Sequence, residues 1–93
     1  MRIVGYLEHP SLKITVFKND GRSSVKFETS LYEQTFKLGD DERFSTLEGV
    51  QGLVDGPMTA QILEGFQQMH RTRLEAMART FPGNAEVVFE EII

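Results

Sequence analysis

Apolar residues recur along residues 58–81 with the period of an α-helix. Advancing about 100° per residue gathers Ile62, Leu63, Phe66, Met69, Leu74, Met77 and Phe81 into one arc, with Glu64, Gln68, Arg71, Glu75 and Arg79 on the opposite side. The stretch predicts one long amphipathic helix, against which the rest of the chain must pack. His70 and Arg73 interrupt the apolar arc, so both are expected to point toward whatever the helix covers. Asp55 ahead of Pro57 suits an N-cap followed by a proline tolerated in the first turn, and Pro82-Gly83 ends the helix.

The first forty residues change to a period of two, the signature of strands with one face on a core. Residues 2–9 and 12–18 read as two strands joined by Glu8-His9-Pro10-Ser11, where Pro10 fixes φ and extends His9. Leu12, Ile14 and Val16 form the core face of the second. In the first, strict alternation puts Ile3 with Leu7 on one side and Val4 with Tyr6 on the other. Asn19-Asp20-Gly21-Arg22 is the clearest turn, since Asn, Asp and Gly tolerate the positive φ of tight hairpins. Val25 and Phe27 then carry one phase and Tyr32, Gln34, Phe36 and Leu38 the other. A slip of one residue turns every side chain over, so a turn is expected near Thr29-Ser30, separating strands 23–28 and 31–38.

Asp40-Asp41-Glu42 closes the strand region with acid, and Ser45-Thr46-Leu47-Glu48 has the spacing of a capping box, with Ser45 as the cap of a short helix. Gly49 and Gly52 weaken that helix by about 1 kcal/mol each relative to Ala. The β-branched stretch 85–93 is expected to form a last strand. Strands followed by helices indicate an α+β domain: a four-stranded antiparallel meander, a short helix, a long helix laid across one face of the sheet, and a C-terminal strand.

Composition narrows this picture. Ninety-three residues with 40% hydrophobic content form a single domain spanning 1–93, because so short a chain cannot fill two cores. The absence of cysteine excludes disulfides and thiolate chemistry. No leader is expected from the amino terminus and no stretch approaches the roughly 20 apolar residues of a membrane span, so the expected location is the cytoplasm, with no membrane partner. The net charge of −4 divides into +2 for residues 1–39, −4 for 40–56, +1 for 57–83 and −3 for the last ten. Nucleic-acid binding is not expected, because phosphate recognition needs cations acting together.

Chemistry-bearing patterns are few. His70 and Arg73, with Tyr6 or Tyr32, could line an anion-binding pocket beneath the helix, because arginine offers a planar fork of donors for carboxylate or phosphate. Structural pairing of the same groups is the competing reading. Asp40-Asp41-Glu42 lacks the ligand spacing of a calcium loop, two histidines are too few for a three-histidine zinc site, and the serines sit outside any nucleophile elbow. No metal and no cofactor are expected. Apolar Val4, Tyr6, Phe17 and Val88 lie opposite the inferred core faces, which points to a non-enzymatic interaction or structural module with a protein partner. That partner includes the chain itself as a homodimer. The alternative is a small-ligand protein or enzyme built around His70 and Arg73.

Overall fold

A computed structural model describes residues 1–81, and the strand expected over 85–93 lies outside them. The described chain is α+β. Strands β1 (Arg2–Leu7), β2 (Lys13–Asn19), β3 (Arg22–Glu28) and β4 (Glu33–Gly39) form one antiparallel sheet in the order β1-β2-β3-β4. A 3-10 turn at Glu42–Phe44 leads into helices α1 (Leu47–Leu53) and α2 (Gly56–Thr80).

Each connection follows from local chemistry. Asn19 pairs with Arg22 across the two-residue turn Asp20-Gly21, whose φ angles of 54° and 73° are those of the hairpin turn that matches strand twist. The phase change after Phe27 is resolved by a turn from Thr29 to Tyr32, with Glu28 paired to Glu33 beyond it. Thr29 holds this turn by donating its N–H to the Tyr32 carbonyl (2.9 Å), while its hydroxyl oxygen accepts from Tyr32 N (3.3 Å). The turn therefore occupies residues assigned from sequence to the start of the fourth strand.

Two local expectations are corrected. Alternation in β1 is broken by a bulge between Ile3, which pairs with Phe17, and Gly5, which pairs with Val16. Val4 and Gly5 thus share one partner, and the extra residue reverses the faces on its N-terminal side. Val4 packs against the core with Leu7, while Ile3 joins Tyr6 on the other face. Gly5 brings β1 close to α1, since a Cβ there would sit 2.9 Å from Leu47 Cδ2. The cap of α1 is also displaced by one residue. Ser45 is held by the preceding turn, donating both its N–H (3.2 Å) and its hydroxyl (2.8 Å) to the Glu42 carbonyl. Thr46 caps α1 instead, accepting from Gly49 N at 3.1 Å.

The core lies between one sheet face and the two helices. Leu12, Ile14 and Val16 from the β2 side meet Val25 and Phe27 of β3, and Val50, Ile62 and Phe66 of the helices close over them. Burying each such aliphatic side chain contributes roughly 1.5–3 kcal/mol, which offsets the weak intrinsic helicity of α1. Ser23 is buried but satisfied, donating to the Phe44 carbonyl at 2.7 Å and tying β3 to the 3-10 turn. Asp55 caps α2 by accepting from Met58 N at 2.9 Å. Gln34 of β4 donates to the Ile62 carbonyl at 3.0 Å, fixing where the helix crosses the sheet. At about 1.5 Å per residue α2 is some 37 Å long, whereas a seven-residue strand spans about 23 Å. Its last turns therefore run past the sheet, and Phe81 at its end is 54% exposed.

Candidate functional site

The residues singled out from the pattern fall in two places. Phe66 and His70 occupy successive turns on the core-facing side of α2, and the Thr29–Tyr32 turn delivers Tyr32 to both. Its ring lies 6.5 Å from Phe66 in a stacked arrangement and 5.8 Å from His70 edge to face. The Tyr32 hydroxyl and His70 Nδ1 are 2.9 Å apart and share a hydrogen bond, with either group able to donate. His70 is only 7% exposed. A phenol joined to an imidazole is a pair that can relay a proton, and it is also a polar latch between a helix and a turn.

Arg73 follows one turn later on α2, half-buried, with its Nη1 shielded from solvent. His70 and Arg73 thus lie on the side of the helix that the periodicity implies, and the Thr29–Tyr32 turn brings Tyr32 to His70. Tyr6 is elsewhere. It pairs with Thr15 on the opposite face of the sheet, is 53% exposed, and has Lys13 Nζ 5.8 Å from its ring centroid. Tyr6 is thus separated by the sheet from the Tyr32–His70 pair.

Tyr6 instead borders two clefts formed around the β1–β2 turn. One of about 580 Å³ lies between the β1–β2 turn and the junction of α1 with α2, with Leu7, Ile14, Leu47 and Val54 as its apolar walls and Glu8, His9 and Asp55 among its polar groups. Sequence reasoning missed it because the β1–β2 turn meets the helix junction only through the fold. His9 Nδ1 accepts from Ser11 N at 3.0 Å, so the ring has a local backbone role. Among the described residues no group of three His, Cys, Asp or Glu side chains is placed to hold a metal ion.

The acidic loop is organised by its own neighbour. Arg43 grips Asp41 through Nε (3.1 and 3.2 Å) and Nη2 (2.7 Å), and its backbone N–H donates to Oδ1 at 2.9 Å. Those side-chain bonds, then the backbone bond, hold the Asp41 carboxyl down at about 2. The Arg43 guanidinium is raised by the same partner.

The sheet face away from α2 was only partly legible, because the β1 bulge hides its membership. Register assigns it row by row. Tyr6, Thr15, Lys26 and Thr35 lie side by side across β1 to β4, and so do Ile3, Phe17, Ser24 and Lys37. Lys13, Glu28 and Glu33 form the row nearest the β3–β4 turn, and Arg22 opposite Asn19 lies toward the other end. Ile3 and Tyr6 are each 53% exposed, and no described element covers this face. No helix among the described residues is long and apolar enough to cross a membrane. No protein-family model matches the chain, and neither curated proteins nor solved structures give a significant match.

Proposed function

We propose that the protein is a non-enzymatic interaction module that docks another protein chain on the outer face of its sheet. The observation carrying this reading is the contiguous group of Ile3, Tyr6 and half-buried Phe17 on that face. Side chains of this kind lower the free energy of a domain when covered, so leaving several together in water is characteristic of a surface that another molecule covers. The Tyr32–His70 bond, closed in by Phe66, acts in this reading as a latch holding α2 to the sheet.

Chemical denaturation of Ile3→Ser and Tyr6→Ser tests the assignment. Each is expected to change stability by no more than about 0.5 kcal/mol, as for surface positions remote from the core. A loss above about 2 kcal/mol, the scale of a core truncation, would show that these side chains hold the fold and refute the docking face. A second copy of the chain is among the partners this reading admits. Sedimentation from low to high micromolar concentration tests it, with a two-chain mass supporting self-association and a single-chain mass throughout removing it.

A further inference from the structure

We infer that the outer face of the sheet is shaped for an acidic amphipathic helix of a protein partner, an inference that rests on the docking reading above. The face is divided lengthwise. Its apolar groups, Ile3, Tyr6 and Phe17, belong to β1 and β2, whereas Arg22, Lys26 and Lys37 belong to β3 and β4. Its two carboxylates, Glu28 and Glu33, are confined to the row at the β3–β4 turn, where Lys13 accompanies them. Lys26 reaches back to Glu28 at 3.5 Å, and Arg22 and Lys37 have no ion-pair partner among the described residues. Beyond that first row the face therefore presents apolar Tyr6, Ile3 and Phe17, with Thr15, beside a strip in which every charged group is a cation and Ser24 and Thr35 lie between them.

The dimensions suit a helix. Strands lie about 4.8 Å apart and same-face residues recur about every 6.8 Å along them, so the centres of the two strips are separated by about 10 Å, the diameter of an α-helix. A helix lying along the strands, with its apolar stripe over Tyr6, Ile3 and Phe17, would carry carboxylates toward Lys26, Lys37 and Arg22. Acidic residues at i and i+4 rise about 6 Å, close to the row spacing of the cations. About four helical turns would span the face, and buried cation–carboxylate contacts would fix its register and direction.

A short acidic segment fits better than an extended polyanion. The chain carries a net charge of −4, with acids concentrated at Asp40, Asp41, Glu42, Glu48 and Asp55. A nucleic acid or an anionic membrane extends past the face and is repelled by those acids wherever it comes within the screening length of roughly 8–10 Å.

The test is a titration of the isotopically labelled full chain with an 18-residue synthetic helix bearing leucines on one face and glutamates at i and i+4 along its edge. Amide shifts are expected at Tyr6, Thr15, Phe17, Lys26 and Lys37. Affinity is expected to fall at least ten-fold for Lys37→Glu, for Tyr6→Ser, and for a peptide with lysine in place of each glutamate. The variants are first shown to keep wild-type stability. No shift at millimolar peptide, shifts confined to α2, or equal binding of the lysine peptide would overturn the inference. Tighter binding of a twelve-nucleotide oligothymidylate or of phosphatidylglycerol vesicles would do the same. If the peptide fails while sedimentation shows a two-chain mass that Tyr6→Ser abolishes, this inference falls and the docking reading stands.

Discussion

The two glycines of α1 differ in their surroundings, and replacing each by alanine gives a sharp test of how that helix is seated. Helix propensity alone makes both substitutions favourable by up to about 1 kcal/mol, since alanine restricts the unfolded chain and suits the helix. At Gly52 nothing lies within 4 Å of where a Cβ would be, so the gain should be realised. At Gly49 the Cβ would overlap the carbonyl oxygen of Arg43, with Thr46 Oγ1 at 3.4 Å. Relief requires moving the backbone of the 3-10 turn or the first turn of α1. The turn is anchored by Ser23 through the Phe44 carbonyl at 2.7 Å, and α1 by the Thr46 cap at 3.1 Å and by buried Val50. Forced overpacking costs about 1–3 kcal/mol and losing the cap about 1 kcal/mol, so Gly49→Ala should destabilise by a net 1–3 kcal/mol or so. Urea denaturation of the two variants reads this difference. Gly52→Ala is expected to raise the midpoint and Gly49→Ala to lower it, with Tm shifts of about 4–8 °C per kcal/mol for a domain of this size. Equal effects at both positions, or a stabilised Gly49→Ala, would refute the packing of α1 against the turn.

The Tyr32–His70 latch is expected to contribute about 0.5–1.5 kcal/mol, measured as the loss of stability in Tyr32→Phe; no loss would show that the bond is dispensable to the fold. Phe66→Ala should cost about 3–5 kcal/mol, while Gln68→Ala on the exposed side of α2 should be nearly neutral; comparable values in denaturation would contradict the assigned helix face. Asp41 should titrate near 2 in carbon-detected NMR and return toward 3.8 in Arg43→Gln. Because its folded value is depressed, the Asp41–Arg43 pairing is complete above about pH 4 and lost as pH falls through about 2. An Asp41 midpoint unchanged by Arg43→Gln would refute the pairing.

The sequence carried the elements whose pattern is local. The period of α2 located Ile62 and Phe66 in the core, and alternation located Ile14, Val16, Val25 and Phe27. The Asn19-Asp20-Gly21-Arg22 hairpin was legible because positive φ demands specific residues. Features made by two segments meeting were not. The β1 bulge exchanges Val4 for Ile3 without any local breaker other than Gly5, whose role depends on Leu47. The cap passed from Ser45 to Thr46 because the Glu42 carbonyl had already engaged the serine. For the candidate site, periodicity turned His70 and Arg73 inward and the Thr29 turn brought up Tyr32, but the partition of Tyr6 to the other face follows from register. The cation strip on β3 and β4 likewise appears only when Arg22, Lys26 and Lys37 are brought alongside one another.

The helices cover the core face of the sheet, no described element covers the outer face, and the chain's two tyrosines report on one face each. Brief nitration with tetranitromethane, followed by peptide mapping, measures their accessibility directly. Tyr6 is expected to be modified rapidly in the native protein, with Tyr32 protected by Phe66 and His70 until denaturant is added. Equal protection of Tyr6 would mean that the outer face is already covered, and rapid modification of Tyr32 would mean that α2 does not seal the core; either result contradicts this arrangement.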